Sequence, residues 1–272
     1  MNIRKAERKQ AKIKMALQGP SGSGKTYSSL LIARGLIGSL DNVCVIDTEN
    51  GSSDLYDHLG PFSNIPLTAP FTPEKYLQAI ELAEKEGMEV IIIDSLSHAW
   101  EYLLDYHSSL SGNSFNNWSK VTPRNNALFT KILSSQAHII STLRVKQDYV
   151  LTDKNGKLVP EKVGLKSVQK DGADYEFTLV FDINVKHKAS CNKDRTGLFM
   201  DCPEFTIDTG TGDQIRNWCN NANIESRIKA AKSLKELLEI YNYNHDAELV
   251  SLFTERKTEL LNNAKHLQNG KP

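Results

Sequence analysis

The residues Gly19, Pro20, Ser21, Gly22, Ser23, Gly24, Lys25 and Thr26 satisfy the pattern G-x-x-x-x-G-K-[ST] at every fixed position. A turn that cradles phosphate needs these residue types. Gly19, Gly22 and Gly24 let the backbone curl until successive N–H groups point inward at phosphate oxygens. A helix beginning there turns its positive end to the same anion. Lys25 brings a charge to the β- and γ-phosphates, and the Thr26 hydroxyl is a magnesium ligand. With Tyr27 beside it, the run from Gly19 to Tyr27 is the candidate nucleotide-contacting segment. A second segment, Glu89-Val-Ile-Ile-Ile-Asp94, reads as an apolar strand that delivers a carboxylate to its end, where Asp94 holds magnesium through water. Together the two segments point to binding of ATP with Mg2+.

For these groups to meet, strands must carry them to one edge of a sheet. The apolar runs of the chain are short and punctuated by Gly, Pro and Asp, as in buried parallel strands. Strands are expected at 13–18, 42–49, 89–94, 138–143 and 176–187, the last continuing into a sixth. Helical patterns cover 26–37 and 73–86, and Thr122-Pro123 is expected to open another, with Pro at its first position, running to about Ser135. Strand and helix in alternation imply right-handed βαβ units and a mainly parallel central sheet flanked by helices, an α/β fold. Residues 149–160 read as a β-hairpin with Asn155-Gly156 at its tip. From about Asn221 onward, Ser, Ala, Leu, Lys and Glu recur at helical spacing. The expected organisation is a basic N-terminal segment (1–12), a core (13–220) and a small helical appendage (221–272).

Asp94 is followed by Ser95. The large AAA+ class places its catalytic Glu at that position, so Ser95 points away from that class and the water-activating carboxylate must lie elsewhere. Glu49, ending the second strand in Val45-Ile-Asp-Thr-Glu-Asn50, is the candidate. Here the chain resembles the RecA and eukaryotic or archaeal recombinase family, in which an IDAE or IDTE strand end supplies the catalytic glutamate. VIIIDS (90–95) is likewise similar to that family's VIVVDS. Downstream, Asn192-Lys-Asp-Arg-Thr-Gly197 resembles the K-x-R-x-G element of RecA-like ATPases and of DnaB- and KaiC-type proteins, whose Lys and Arg reach the neighbouring subunit's nucleotide. The resemblance covers about residues 13–208. It implies a RecA-like P-loop NTPase core, Glu49 as base or water-positioning group, Lys193 and Arg195 as groups acting in trans, and a homo-oligomer, ring or filament. The fourth strand should end in a polar sensor, for which Thr142, Arg144 and Gln147 are the candidates.

RecA-type proteins bind single strands with two loops, one after the third strand and one after the fourth. The second spans 144–170 here and carries Arg144, Lys146, Lys154, Lys157, Lys162, Lys166 and Lys170 against Asp148, Asp153 and Glu161, a local excess of four positive charges. Such a segment suits phosphate contacts that weaken with salt, and Tyr149 could stack on a base. The first loop is expected at 106–121, where Phe115 and Trp118 either stack on bases or anchor the loop to the core. Arg4, Lys5, Arg8, Lys9, Lys12 and Lys14 near the N-terminus, against a single Glu7, read as an arm or a solvated helix.

Length and composition bound the rest. With 272 residues and 39% apolar content, there is enough chain for one α/β domain and a small appendage. The formal net charge is zero, so any contact with nucleic acid must come from local patches. Cys44, Cys191, Cys202 and Cys219 form no C-x-x-C pair, which points away from zinc and disulfides and toward a reducing cytoplasm. No apolar run approaches the roughly 18 residues that span a bilayer, and the charged N-terminus is unlike a secretory signal. His58, His98, His107 and His138 are scattered and read as core or surface residues.

The whole chain resembles the compact RecA-like ATPases encoded by phages and prophages. That resemblance implies an ATP-dependent single-stranded-DNA recombination or annealing ATPase of the bacterial cytoplasm, with a single-strand-binding protein as a further partner and no membrane. Two alternatives stand beside it: a nucleotide-switched recombination mediator or scaffold with weak hydrolysis, and a DnaB-like helicase or loader.

Overall fold

The computed structural model describes residues 11–154, 157–220, 224–242 and 249–269; for 147–165, 226 and 264–269 it describes the backbone alone. Arg4, Lys5, Arg8, Lys9 and the hairpin tip Asn155-Gly156 therefore lie outside the described residues, as do the side chains of Gln147, Tyr149, Lys154, Lys157 and Lys162.

In chain order residues 11–220 hold β1 (Lys14–Gly19), α1 (Lys25–Ile37), β2 (Val43–Asp47), β3 (Ser63–Pro66), α2 (Pro73–Lys85), β4 (Val90–Asp94), α3 (Ser97–Ser109), α4 (Ser114–Ser134), β5 (His138–Lys154), β6 (Lys157–Ser167), β7 (Leu179–Ile183), β8 (Ala189–Asp194) and α5 (Thr209–Asn220). The sheet runs β3-β2-β4-β5-β1-β7-β8 and is parallel from β3 to β7. β8 returns antiparallel on β7, and β6 pairs antiparallel with the extension of β5 beyond the sheet. Every residue of β1, β2 and β4 is buried. Burial on both faces is why these strands read as unbroken apolar runs. On one face Ile91, Ile93 and Ile139 meet Tyr76 and Ile80 of α2 and Leu128 and Ile132 of α4. The alternate residues Met15, Leu17, Ile92 and Ile140 are equally buried, and α1 packs on β1, β4 and β5.

One strand, β5, lies between the strand that enters the Gly-rich turn and the strand that ends in Asp94. Its register, Ile93↔Ser141 on one side and Gly19↔Arg144 on the other, sets residues 142–144 between Asp94 and Gly19. Beyond Arg144 the strand pairs with β6 as far as Lys154↔Lys157, which is the hairpin expected around Asn155-Gly156.

Two expectations need correction. α4 starts at Ser114, not at Thr122-Pro123, because the Asn113 side chain accepts from the backbone N–H groups of Phe115 and Asn116 and caps the helix there. Pro123 is an interior residue that lacks one N–H of the ladder. The loop expected at 106–121 is therefore mostly helix. The strand expected at 176–187 is confined to β7. A 3-10 turn occupies Ala173–Glu176, and the Asn184 side chain accepts from the N–H groups of Lys186 and Lys188 to turn the chain into β8.

Lys12–Arg216 forms one compact unit, and Asn217–Pro272 belongs to a second. The second holds α6 (Ile224–Ala230), α7 (Leu234–Asn242) and α8 (Val250–Asn269). Its small core joins Ile228, Ala231, Leu237, Ile240 and Phe253. Arg256 ties α8 to the end of α6 by donating to the Ala231 carbonyl.

Candidate nucleotide site

β1 ends in the phosphate-type loop and α1 begins at Lys25. Two glycines there are required by geometry. Gly24 has φ 88°, and a Cβ on Gly19 would stand 2.4 Å from the Ile183 carbonyl oxygen. The turn between β7 and β8 rests on this loop: His187 Nδ1 lies 3.0 Å from the Ser23 carbonyl oxygen, which can only accept, so Nδ1 carries the hydrogen. His187 was not among the residues singled out in the sequence, because its role depends on β8 folding back on β7.

Lys25 Nζ donates to the Gly19 and Pro20 carbonyls, both at 2.9 Å. Burial lowers its pKa, opposed by the charges of Asp94 and Glu49. Tyr27 is 37% exposed and meets Tyr56 edge-on at 5.5 Å. Ser21 and Gly22 are exposed at the crown of the loop, with Ser23 buried beneath.

Asp94 is 3% exposed. Thr26 Oγ1 donates to its Oδ2 and Thr142 Oγ1 to its Oδ1, each at 2.5 Å. Burial pushes this carboxyl upward and the two hydroxyls oppose that rise. Among the described residues no cationic side chain forms an ion pair with Asp94. A buried carboxylate held by hydroxyls is short of positive charge, and the oxygen donors of Thr26 and Asp94 suit a hard cation such as Mg2+. No group of three or more His, Cys, Asp or Glu residues among those described is arranged as a metal cage.

Glu49 lies on the same edge, one strand further out, since Asp47 of β2 is in register with Asp94 of β4. Asp47, 2% exposed, accepts from the Glu49 N–H at 2.6 Å and from the Ser53 hydroxyl at 2.7 Å, and so turns the chain after β2. Thr48 bridges the two strand ends: its hydroxyl accepts from the Ser95 N–H at 2.8 Å and lies 3.1 Å from the Asp94 carbonyl oxygen. Both Glu49 oxygens are held by Arg144, Oε1 by Nε at 3.1 Å and Nη2 at 2.7 Å, and Oε2 by Nη2 at 2.7 Å. His98 belongs to this cluster too, beyond the core or surface role expected for it. Its Nδ1 is 2.6 Å from Thr48 Oγ1, its Nε2 is 3.9 Å from Glu49, and its ring stacks on Phe71. Burial, then the nearby Arg144 charge, lower its pKa. His98 is the second residue of α3, which starts three residues after Asp94, and this place just beyond the strand end was the available signal.

Lys193 and Arg195 are not brought to the phosphate loop of their own chain. Lys193 Nζ donates to the Asp174 carbonyl at 2.9 Å and to that of Tyr175, and Arg195 Nη2 donates to Tyr175 at 2.7 Å. The Arg195 N–H bonds Thr178, whose N–H bonds Lys14 at the start of β1. Gly19 is five residues along that strand, about 16 Å at the rise of an extended chain.

The basic hairpin is only partly free. Arg144 is engaged with Glu49, Lys166 pairs with Asp171 at 2.8 Å, Lys170 reaches Asn126 at 3.4 Å, and Lys146 is exposed. Lys14 turns inward to the Ser135 and Ala137 carbonyls, so it is no part of a basic arm. Trp118 anchors α4 to α3, stacked against His107 at 4.2 Å and Trp100 at 6.0 Å, whereas Phe115 is 85% exposed.

A mainly parallel α/β sheet with this loop at one strand end and a buried Asp at another defines a P-loop nucleotide-binding protein. A family model, AAA_24, described as an AAA domain, matches residues 11–215, and the chain belongs to that family of P-loop ATPases. No curated protein matches the chain. The expectation drawn from Ser95, that the chain lies outside the AAA class, is corrected by this match. Its local content remains: Ser95 is buried and offers no carboxylate, whereas Glu49 stands at the adjacent strand end. No helix among the described residues is long and apolar enough to cross a membrane.

Proposed function

We propose that this protein is a magnesium-dependent ATPase that hydrolyses ATP at a subunit interface and couples hydrolysis to single-stranded DNA in recombination or annealing. The observation that carries the interface is the separation within one chain of Lys193 and Arg195 from the phosphate loop. They stand at the opposite end of β1 from Gly19, and on this reading they act on a neighbour's nucleotide in a ring or filament. Water attacks the γ-phosphate in line, with Lys25 compensating charge on the transferring group. Thr26 and Asp94 would hold Mg2+, which would supply further charge compensation. Glu49 orients the water, and Thr142 fixes Asp94. Tyr27, beside Tyr56, offers a face for the purine. Lys146 and the backbone of the β5–β6 hairpin support a phosphate-contacting arm; Lys154, Lys157 and Lys162 are its proposed further contacts.

The Arg144 hold on Glu49 favours a second reading, a nucleotide-switched mediator that hydrolyses slowly. Steady-state ATP hydrolysis with Mg2+, measured with and without single-stranded DNA at low and moderate salt, separates them. Stimulation that fades as salt rises is the expected result. Unchanged hydrolysis with no DNA binding in the same samples would reject the recombination reading.

A further inference from the structure

A guanidinium on both oxygens of Glu49 competes with a water for the lone pairs through which the carboxylate would orient it. The group that holds it stands at a junction. Arg144 pairs in register with Gly19 at the mouth of the loop, its N–H donates to Ser97 Oγ at 3.0 Å, and its carbonyl accepts from the Val168 N–H at 2.7 Å at the foot of the β5–β6 hairpin. Its charge acts on Lys25 together with those of Asp94 and Glu49, so the four form one electrostatic cluster around the place of the terminal phosphate. Its side chain is 42% exposed and that of Glu49 27%, so the pair is neither sealed nor rigidly enclosed.

We propose that Arg144 is a γ-phosphate ligand whose competing partner is Glu49, so that ATP frees the water-orienting carboxylate and ADP does not. The chemistry favours the exchange. A terminal phosphate carries about two negative charges and three acceptor oxygens against the single charge of a carboxylate, and the guanidinium fork fits either bidentately. Arg stays charged throughout, so no proton has to move. Of the three sensor candidates, Thr142 is committed to Asp94 and Arg144 takes the terminal phosphate.

This proposal rests on the ATP-site reading, and the test separates the two. Binding of a β,γ-imido ATP analogue and of ADP, each with Mg2+, is measured for the wild type, Glu49→Gln, Arg144→Ala, Arg144→Gln and Glu49→Gln/Arg144→Ala. Removing the Glu49 charge should tighten the analogue by about fivefold, the worth of a partly exposed ion pair, and leave ADP within about twofold. Either Arg144 substitution should weaken the analogue by about tenfold or more with ADP retained, and the double variant should lose the gain of Glu49→Gln. Retained ADP binding also shows that the variants fold. If analogue and ADP shift together, or Glu49→Gln leaves their ratio unchanged, the exchange is wrong while the nucleotide site stands. If the wild type binds neither nucleotide, the ATP-site reading fails and the exchange with it.

Discussion

Thr142→Val removes one hydroxyl from a site with no room for compensation. Thr142 is fully buried and its hydroxyl donates to Asp94 Oδ1 at 2.5 Å, while Thr26 serves the other oxygen. Valine keeps the shape, so the change isolates the hydrogen bond. A bond to a charged group contributes about 1.5–3 kcal/mol. For a unit of this size, at about 2–4 °C per kcal/mol, that corresponds to a fall in Tm of about 3–12 °C. There is a second consequence. Thr142 is one of the two groups that oppose the upward push of burial on the Asp94 carboxyl. Without it the proton competes better with magnesium, so the Mg2+ concentration for half-maximal activity should rise, and rise more at pH 6.5 than at pH 8. Thr142→Ser, which keeps the hydroxyl, should recover most of both losses. The assay is a thermal melt together with Mg2+ titrations of ATP turnover at the two pH values. A Tm within about 1 °C of wild type with unchanged Mg2+ dependence would refute the claim that Asp94 is held through Thr142.

Lys25→Ala should abolish turnover in a purified, folded variant, and normal turnover would overturn the site assignment. Glu49→Gln should bind ATP yet fail to hydrolyse it, which a filter-binding assay beside phosphate release would check. Arg195→Ala should lose turnover alone and regain part of it when mixed with Lys25→Ala, because an intact interface then forms from the two; no recovery at any mixing ratio would count against action in trans. Acid should cost stability through His138. It is buried, its Nδ1 accepts from the Ile13 N–H at 3.1 Å, and burial lowers its pKa from 6.5 to about 3. Above pH 6.5 neither state binds the proton; between 6.5 and 3 the unfolded chain alone does. Stability therefore falls as pH drops through that window, by up to about 1.4 kcal/mol per pH unit from this group. Urea unfolding at pH 7, 6 and 5 should show a slope shallower by about one proton in His138→Gln, and an identical slope would remove His138 from the account.

What the sequence by itself determined is what depends on neighbours along the chain. The loop from Gly19 to Thr26 needs glycines at set spacing before a helix start, and that is written in eight consecutive residues. The apolar runs of β1, β2 and β4 follow from burial on both faces, and Asp94 and Glu49 were found because strand ends are visible as the point where such a run stops. The hairpin was legible from Asn155-Gly156 between two extended stretches. The start of α4 was misread because a single Asn cap competes with a Pro signal, and which one prevails depends on how α3 and α4 pack through Trp100, His107 and Trp118. Only the tertiary structure decided which groups meet across the sheet. Strand order is a property of the whole fold, and placing β5 between β1 and β4 is what sets Thr142 on Asp94 and Arg144 on Glu49, 48 and 95 residues apart in the chain. The same holds for His187 on Ser23, 164 residues away. Hydrogen bonds and charges act over a few ångströms of space regardless of separation along the chain, so these partners come into view only once the sheet has brought them together.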